Sequence, residues 1–434
     1  MRHLVNKIPK HYLVASAGWV SRVIIAVIRV IMIPLLIYYL GTQEFAVFVV
    51  ITGLTVWFNL ADCGFGSGIQ NAISNLRIQK QSSVRFLQRI LVYILLFLVI
   101  ELIIFSLVAY PMQHFLFRKL HVHLLPYLLT VFGCLYIVNF FLSIGNRIFF
   151  AHHKGYLGYV YQTLGYAFGL LAVLSLYGLG ITQHKLLYVL LAWILPQTLF
   201  SIVSFLHAVP LSGWIQHRNW QQFKDIFTTA WQFGVIAFSS VFALGIDYIV
   251  MSQVLSAETI VTYNVISNVF NFILFGYSAI LMSLWPVFAE KFASNNAVKI
   301  AKVNKLIVRN IVIGVVYIII CSILVILFSP YITKLLSHGI ITIPITLVCL
   351  FGTYYAARVF TDTYSVVLQS QNKIKIFLFA VPAQALVAVF SMYYLAKYFG
   401  LFGVVFSLIL CFLTTVTWIF PLTHYMSLNK FKGR

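Results

Sequence analysis

Acidic side chains are almost absent from this sequence. Asp and Glu number eight in 434 residues, and all charged residues together make up 9%. A soluble domain carries about 25% charge. A water-facing surface of ordinary size therefore cannot be assembled from this chain. Cysteine is scarce and odd in number: Cys63, Cys134, Cys321, Cys349 and Cys411, with no C-x-x-C pair. A disulfide framework is excluded, and the five read as small apolar residues within spans. No nucleophile elbow, Walker loop, H-E-x-x-H or glycine-rich dinucleotide fingerprint occurs. Without a Walker loop there is no internal ATPase, so any transport must run downhill or on a proton or cation gradient, with no bound cofactor. A cleavable leader is not expected either. Ala15-Ser16-Ala17 imitates a cleavage site, but Arg2, Lys7, Pro9, Lys10 and His11 stand where the apolar run should be.

What the chain has is apolar length. Hydrophobic residues make up 62%, and mean hydropathy is +0.98. Spanning helices need roughly 20 apolar residues each. Twelve such stretches fall at about 14–40, 45–70, 90–110, 125–150, 157–181, 186–208, 229–256, 261–288, 307–329, 340–370, 376–396 and 401–424. Pro111, Pro126, Gly155, Pro210, Pro330 and Gly400 are expected to punctuate them. The expected fold is an all-α integral membrane protein with short loops and no soluble domain. The net charge of +21 would suggest nucleic acid in a soluble protein. Here it is spread over loops. Taking the N-terminus as cytoplasmic places 21 of the 29 Lys and Arg inside and five outside. That bias orients both termini toward the cytoplasm, and much of the charge then needs only anionic headgroups.

The chain also repeats itself weakly. Shifted by 214 residues, Glu44 falls on Glu258, Arg77 on Lys291 and Arg85 on Lys299. After a five-residue slip, Pro111 falls on Pro330 and Lys154 on Lys373. Six spans per half is even, so both halves enter the membrane the same way round, with a site expected between them. The expected divisions are 1–213 for the N-terminal lobe, 214–228 for a cytoplasmic connector and 229–434 for the C-terminal lobe.

The residues that carry chemistry are those the bilayer should exclude. Arg22, Arg29 and Arg358 lie inside apolar spans. An arginine at the bilayer centre costs about 2.5–3.5 kcal/mol on insertion scales. All three are therefore expected to face a protein-lined, wet interior, which suits an anionic cargo. Arg22 and Arg29 are two helical turns apart and share a face. Arg358 and Asp362 stand at i, i+4 and can pair. Asp62, Glu101 and Asp247 are the other intramembrane carboxylates, with structural pairing (Asp62 to Arg22) and ion coupling both open. Asn264, Asn268 and Asn271 run at helical spacing and could bind sugar hydroxyls or join helices. His152 and His153 read as a solvated loop. His114–His123 reads as a short amphipathic helix on the outer surface.

The stretch Leu40-Gly41-Thr42-Gln43-Glu44-Phe45-Ala46-Val47-Phe48, followed by Leu60-Ala61-Asp62-Cys63-Gly64-Phe65-Gly66 and Asn71, resembles the first two spans of Wzx-type O-antigen and polysaccharide flippases. Asp247-Tyr248 with Glu258 and Tyr263-Asn264, and then Trp285-Pro286-Val287-Phe288, resemble the corresponding start of the second half. Those flippases belong to the multidrug/oligosaccharidyl-lipid/polysaccharide exporter superfamily. The resemblance implies two parallel six-helix lobes in a V-shaped, alternating-access bundle in a bacterial inner membrane. It implies an undecaprenyl-diphosphate-linked oligosaccharide as cargo, turned from the inner to the outer leaflet, with other polysaccharide-assembly proteins as neighbours. Arg22, Arg29 and Arg358 are the positions that fit its cationic cavity. A drug/cation antiporter would place carboxylates in the cavity instead. A flippase for lipid-linked peptidoglycan precursors would carry two further helices. A polysaccharide polymerase or ligase would carry a large outer loop with catalytic residues.

Overall fold

The computed structural model describes residues 10–58, 60, 64–79, 81–118, 125–209, 218–293, 297–337, 339, 341–371 and 373–432. Among them there is no strand. Helix is what lipid demands, because each backbone N–H and C=O must find its partner inside its own segment. The helices are α1 (Lys10–Gly53), α2 (Thr55–Phe58), α3 (Phe65–Ile78), α4 (Ser83–Phe117), α5 (Leu128–Leu142), α6 (Ile144–Ala151), α7 (Gly155–Gly178) and α8 (Lys185–Ala208). They continue as α9 (Trp220–Leu244), α10 (Asp247–Val254), α11 (Ala257–Ala293), α12 (Ala297–Leu327), α13 (Ser329–Ser337), α14 (Ile345–Ser370), α15 (Phe377–Thr414) and α16 (Val416–Lys432).

Nine helical runs among the described residues are long and apolar enough to cross a bilayer. Two of them, Ser16–Phe58 and Phe377–Leu428, are each two crossings long. Each turns at a glycine with positive φ, Gly41 at 76° and Gly400 at 59°. A β-carbon at either position would meet nothing within 4 Å, so backbone conformation, not space, selects glycine there. Helix α14 is not among the nine, because Arg358, Asp362 and its hydroxyl residues lower its hydropathy. Its 26 residues still reach about 39 Å at 1.5 Å per residue. With it the expected twelve crossings are complete.

Two local expectations change. Pro111 lies inside α4, which runs on to Phe117. Proline is tolerated in a spanning helix because neighbouring groups satisfy the freed carbonyl. The proposed surface helix over His114–His123 instead begins as the end of α4, and 119–124 lie outside the described residues. Of the 214–228 connector, 214–217 also lie outside them, while Trp220 onward already belongs to α9.

The chain divides into two compact units, Met1–Ala237 and Phe238–Arg434. Helix pairing within the units recurs. In the first, the second and third spans pack on the fourth (α3 on α6, α4 on α5), and the first packs on the fifth (α1 on α7). In the second, α11 and α12 both pack on α14, and α10 packs on α15, which contains the fifth span. A close helix approach in the first unit is built on small residues. A β-carbon on Gly165 would lie 3.0 Å from Gln197 Cα, and one on Gly169 would lie 3.2 Å from the Trp193 carbonyl oxygen. These glycines let α7 and α8 touch, which sets Trp193 against Tyr166.

Candidate functional site

In the first unit, Arg22 and Arg29 both expose their side chains along α1. They border the buried stripe Ser21, Ile25, Ile28 and Met32. That stripe faces α7, where the Ser21 hydroxyl donates to the Tyr159 carbonyl. The exposed apolar residues Val20, Ile24, Val27 and Ile31 lie roughly half a turn around the helix from the arginines, at 100° per residue. One side of α1 thus suits lipid, and the side carrying the arginines does not. Arg29 Nη2 donates to the Tyr166 hydroxyl at 2.9 Å, and its guanidinium carbon lies 5.3 Å from that ring's centroid. Trp193 braces Tyr166 edge-on at 5.4 Å. Tyr136, bonded to the Thr55 side chain, lies within electrostatic reach of Arg29 and Tyr166. Among the described residues no carboxylate comes within 4.0 Å of Arg22 or Arg29. A guanidinium has five N–H donors, and only the one to Tyr166 finds a protein acceptor among the described residues. Neutral rings stabilise this cation without cancelling its charge.

The second unit arranges its arginine differently. Arg358 lies on α14 between Tyr354 and Tyr355, whose ring centroids are 5.9 and 5.7 Å from its guanidinium carbon. Asp362, one turn on, approaches Arg358 Nη2 at 3.8 Å, so the expected i, i+4 pair is present. The rings are held in turn. The Tyr355 hydroxyl donates to Asn271 Oδ1 at 2.8 Å, and Tyr354 meets Phe412 edge-on at 5.5 Å. Nearby, Asp247 at the start of α10 is buried, and both of its oxygens are occupied. Oδ2 accepts from the Tyr263 hydroxyl at 2.7 Å, and Oδ1 from the Tyr248 N–H at 2.9 Å.

The asparagine stripe serves mostly to join helices. Asn264 Nδ2 donates to the Tyr248 hydroxyl, Asn268 Nδ2 to the Asn264 carbonyl on its own helix, and Asn271 accepts from Tyr355. Asn139 and Asn146 accept from Ser201 and Ser204 in the same way. Glu101 is half-buried on α4. Asp62 lies outside the described residues, as do Asn59 and Cys63, so a pairing of Asp62 with Arg22 has no geometry here. At the loop after α6, His152 Nε2 lies 3.4 Å from Ser83 Oγ. Burial, then Lys154, Arg77 and His153, push its pKa below the usual histidine value. No group of three or more His, Cys, Asp or Glu among the described residues could hold a metal ion. Sequence reasoning missed Tyr166, Trp193 and Tyr136. The spacing of Gly165 and Gly169 on α7 was the available hint, since small residues four apart mark a close helix contact.

No protein-family model matches the sequence. Curated relatives match nearly its full length. A protein of Salmonella typhi described as an O-antigen transporter is 30% identical over 430 residues, covering 98% of each chain. One of Yersinia pseudotuberculosis described as an O-antigen export protein is 31% identical over 438 residues, again covering 98% of each. Among solved structures, lipid II flippase MurJ in an inward closed conformation aligns with a TM-score of 0.69 at 14% identity, over 95% of this chain and 87% of that one. An inward-facing multidrug resistance MATE family transporter of the MOP superfamily aligns at 0.67 and 14%, over 96% and 99%. At such identity these structures speak for the fold alone. The resemblance read from residues 40–71 therefore extends along the whole sequence. The chain belongs to the family of O-antigen transporters, and it is a multi-pass membrane transporter rather than an enzyme.

Proposed function

We propose that this protein moves undecaprenyl-diphosphate-linked oligosaccharide from the cytoplasmic to the periplasmic leaflet of a bacterial inner membrane, by alternating access, with both termini cytoplasmic. The observation that carries this reading is Arg29, a full cation within a span, held by a tyrosine and with its other N–H donors free of acceptors among the described residues. Such a group facing lipid would cost about 2.5–3.5 kcal/mol. Facing a wet cavity, it is a receptor for an anion. Arginine suits a diphosphate because its planar fork makes paired, charge-assisted hydrogen bonds. Arg22 stands on the same face of α1 as Arg29, Arg358 is a further cation within a span of the second unit, and Asn268, whose amide bonds within its own helix, offers a contact to sugars. A proton or cation gradient would drive the cycle. The relatives are named for O-antigen, so an O-antigen unit is the first cargo to test.

The competing drug/cation antiporter needs an available carboxylate. Of the described carboxylates in the second unit's spans, Asp247 has both oxygens taken by Tyr263 and Tyr248, and Asp362 stands beside the cation Arg358. The test is mass spectrometry of lipid-linked oligosaccharides in a strain lacking the gene, with and without a plasmid copy. Accumulation of complete single repeat units together with loss of surface polysaccharide, both reversed by the plasmid, is the expected result. Unchanged pools would remove the flippase reading.

A further inference from the structure

The two acidic groups of the second unit contrast sharply in how they are held. Asp247 is locked: both oxygens accept hydrogen bonds, and the residue is 8% exposed. Asp362 is loose. Among the described residues no hydrogen bond holds its carboxylate, and its side chain is 39% exposed. Its one partner is Arg358, at 3.8 Å, which is beyond hydrogen-bond length. Arg358 is correspondingly underfilled. Its Nε is buried without a hydrogen-bond partner. The flanking rings of Tyr354 and Tyr355 fix the plane of the guanidinium, and Tyr354 also bonds to it through its side chain. A guanidinium positioned by rings, with a buried unpartnered Nε and a counter-charge held beyond hydrogen-bond length, is a site whose ligand is only half supplied by the protein.

We infer that Asp362 is a displaceable counter-ion: it occupies Arg358 when the cavity holds no cargo and yields that guanidinium to the anionic headgroup when cargo enters. This rests on the reading of an anionic lipid-linked cargo given above. The physical logic is competition. A carboxylate on the same helix neutralises Arg358 in the empty protein, which lowers the cost of a bare cation in the membrane. A diphosphate offers more acceptor oxygens and greater charge, so it wins at close range. Asp362 then weakens cargo binding by what its displacement costs, and it makes release easier once the cargo meets the other leaflet. A residue that merely braced the fold would do neither.

The probe is undecaprenyl diphosphate titrated onto the full-length protein in nanodiscs, with uncharged undecaprenol as control. Wild type is expected to prefer the diphosphate. Asp362→Asn keeps size and polarity, and it is expected to bind the diphosphate about fivefold more tightly, the scale of a half-exposed ion pair. Undecaprenol binding should not change. Arg358→Gln should lose the gain, so that Arg358→Gln/Asp362→Asn binds no better than Arg358→Gln alone. If wild type prefers the diphosphate but Asp362→Asn binds it equally or more weakly, the counter-ion role is wrong and the cargo reading stands. If wild type does not distinguish the diphosphate from undecaprenol, the cargo reading falls and the counter-ion role falls with it. A thermal melt of each variant separates loss of fold from loss of binding.

Discussion

The two units pair their helices alike but treat their arginines differently. In the first, Arg29 leans on Tyr166 and has no carboxylate within ion-pair distance among the described residues. In the second, Arg358 carries Asp362 beside it and a tyrosine on either flank. The shared device is an aromatic cradle, which holds a cation in place by its rings and by a tyrosine bond to the guanidinium. The difference is compensation. On the proposed reading, an uncompensated arginine holds the anionic cargo at full strength, and a compensated one holds it weakly and lets go. A transporter needs both, because cargo held too tightly on one side is never delivered on the other.

The comparison breaks most decisively at Arg29. Arg29→Ala is expected to cut transport by about a hundredfold, the scale of losing charge-assisted hydrogen bonds worth roughly 3 kcal/mol. Surface polysaccharide in a complemented deletion strain reads this out, with membrane-inserted protein quantified alongside. Undiminished polysaccharide would take Arg29 out of the site. Arg358→Ala should cost less, about tenfold, because Asp362 already cancels part of its charge. Equal losses at the two positions would dissolve the contrast between the units. Arg29→Lys tests geometry rather than charge. A several-fold deficit is expected, since an ammonium cannot make the paired contact, and full activity would reduce Arg29 to a point charge. Tyr166→Phe removes one hydrogen bond from the cradle, worth about 1 kcal/mol. A drop of about fivefold in transport at unchanged melting temperature is the expected outcome. The smallest functional change belongs to Asp247→Asn. The buried bond from Tyr263 weakens, so the detergent-solubilised protein should melt a few degrees lower, at about 1 kcal/mol lost. Transport should stay within about twofold, because its oxygens already serve the fold; complete loss of transport in a well-folded protein would restore ion coupling to this residue.

The crossings were legible because apolar length is written directly into a membrane sequence. Even α14, whose polar residues dilute its hydropathy, was marked by its length and by Arg358 with Asp362 one turn apart. The pair could be read because both members lie on one helix. Arg29 and Tyr166 could not, because they are 137 residues apart and meet only through the packing of α1 on α7. Periodicity says which face of a helix is unusual, and it is silent on what that face meets. The asparagine stripe shows the same limit. Spacing placed Asn264, Asn268 and Asn271 on one helix, but only tertiary contacts show two of them spent on Tyr248 and Tyr355. Pro111 was misread for a related reason. Proline ends helices in water, and a bilayer lets α4 continue through it.

The most direct test of the central claim is reconstitution. Purified protein is placed in proteoliposomes with a fluorescent undecaprenyl-diphosphate oligosaccharide, and label exposed on the far leaflet is followed against a matched undecaprenyl lipid with a neutral headgroup. Movement of the diphosphate-linked lipid by wild type, with little for the neutral lipid and little for Arg29→Ala, is the result this account predicts. Equal movement of the charged and neutral lipids, or undiminished movement by Arg29→Ala, would contradict it.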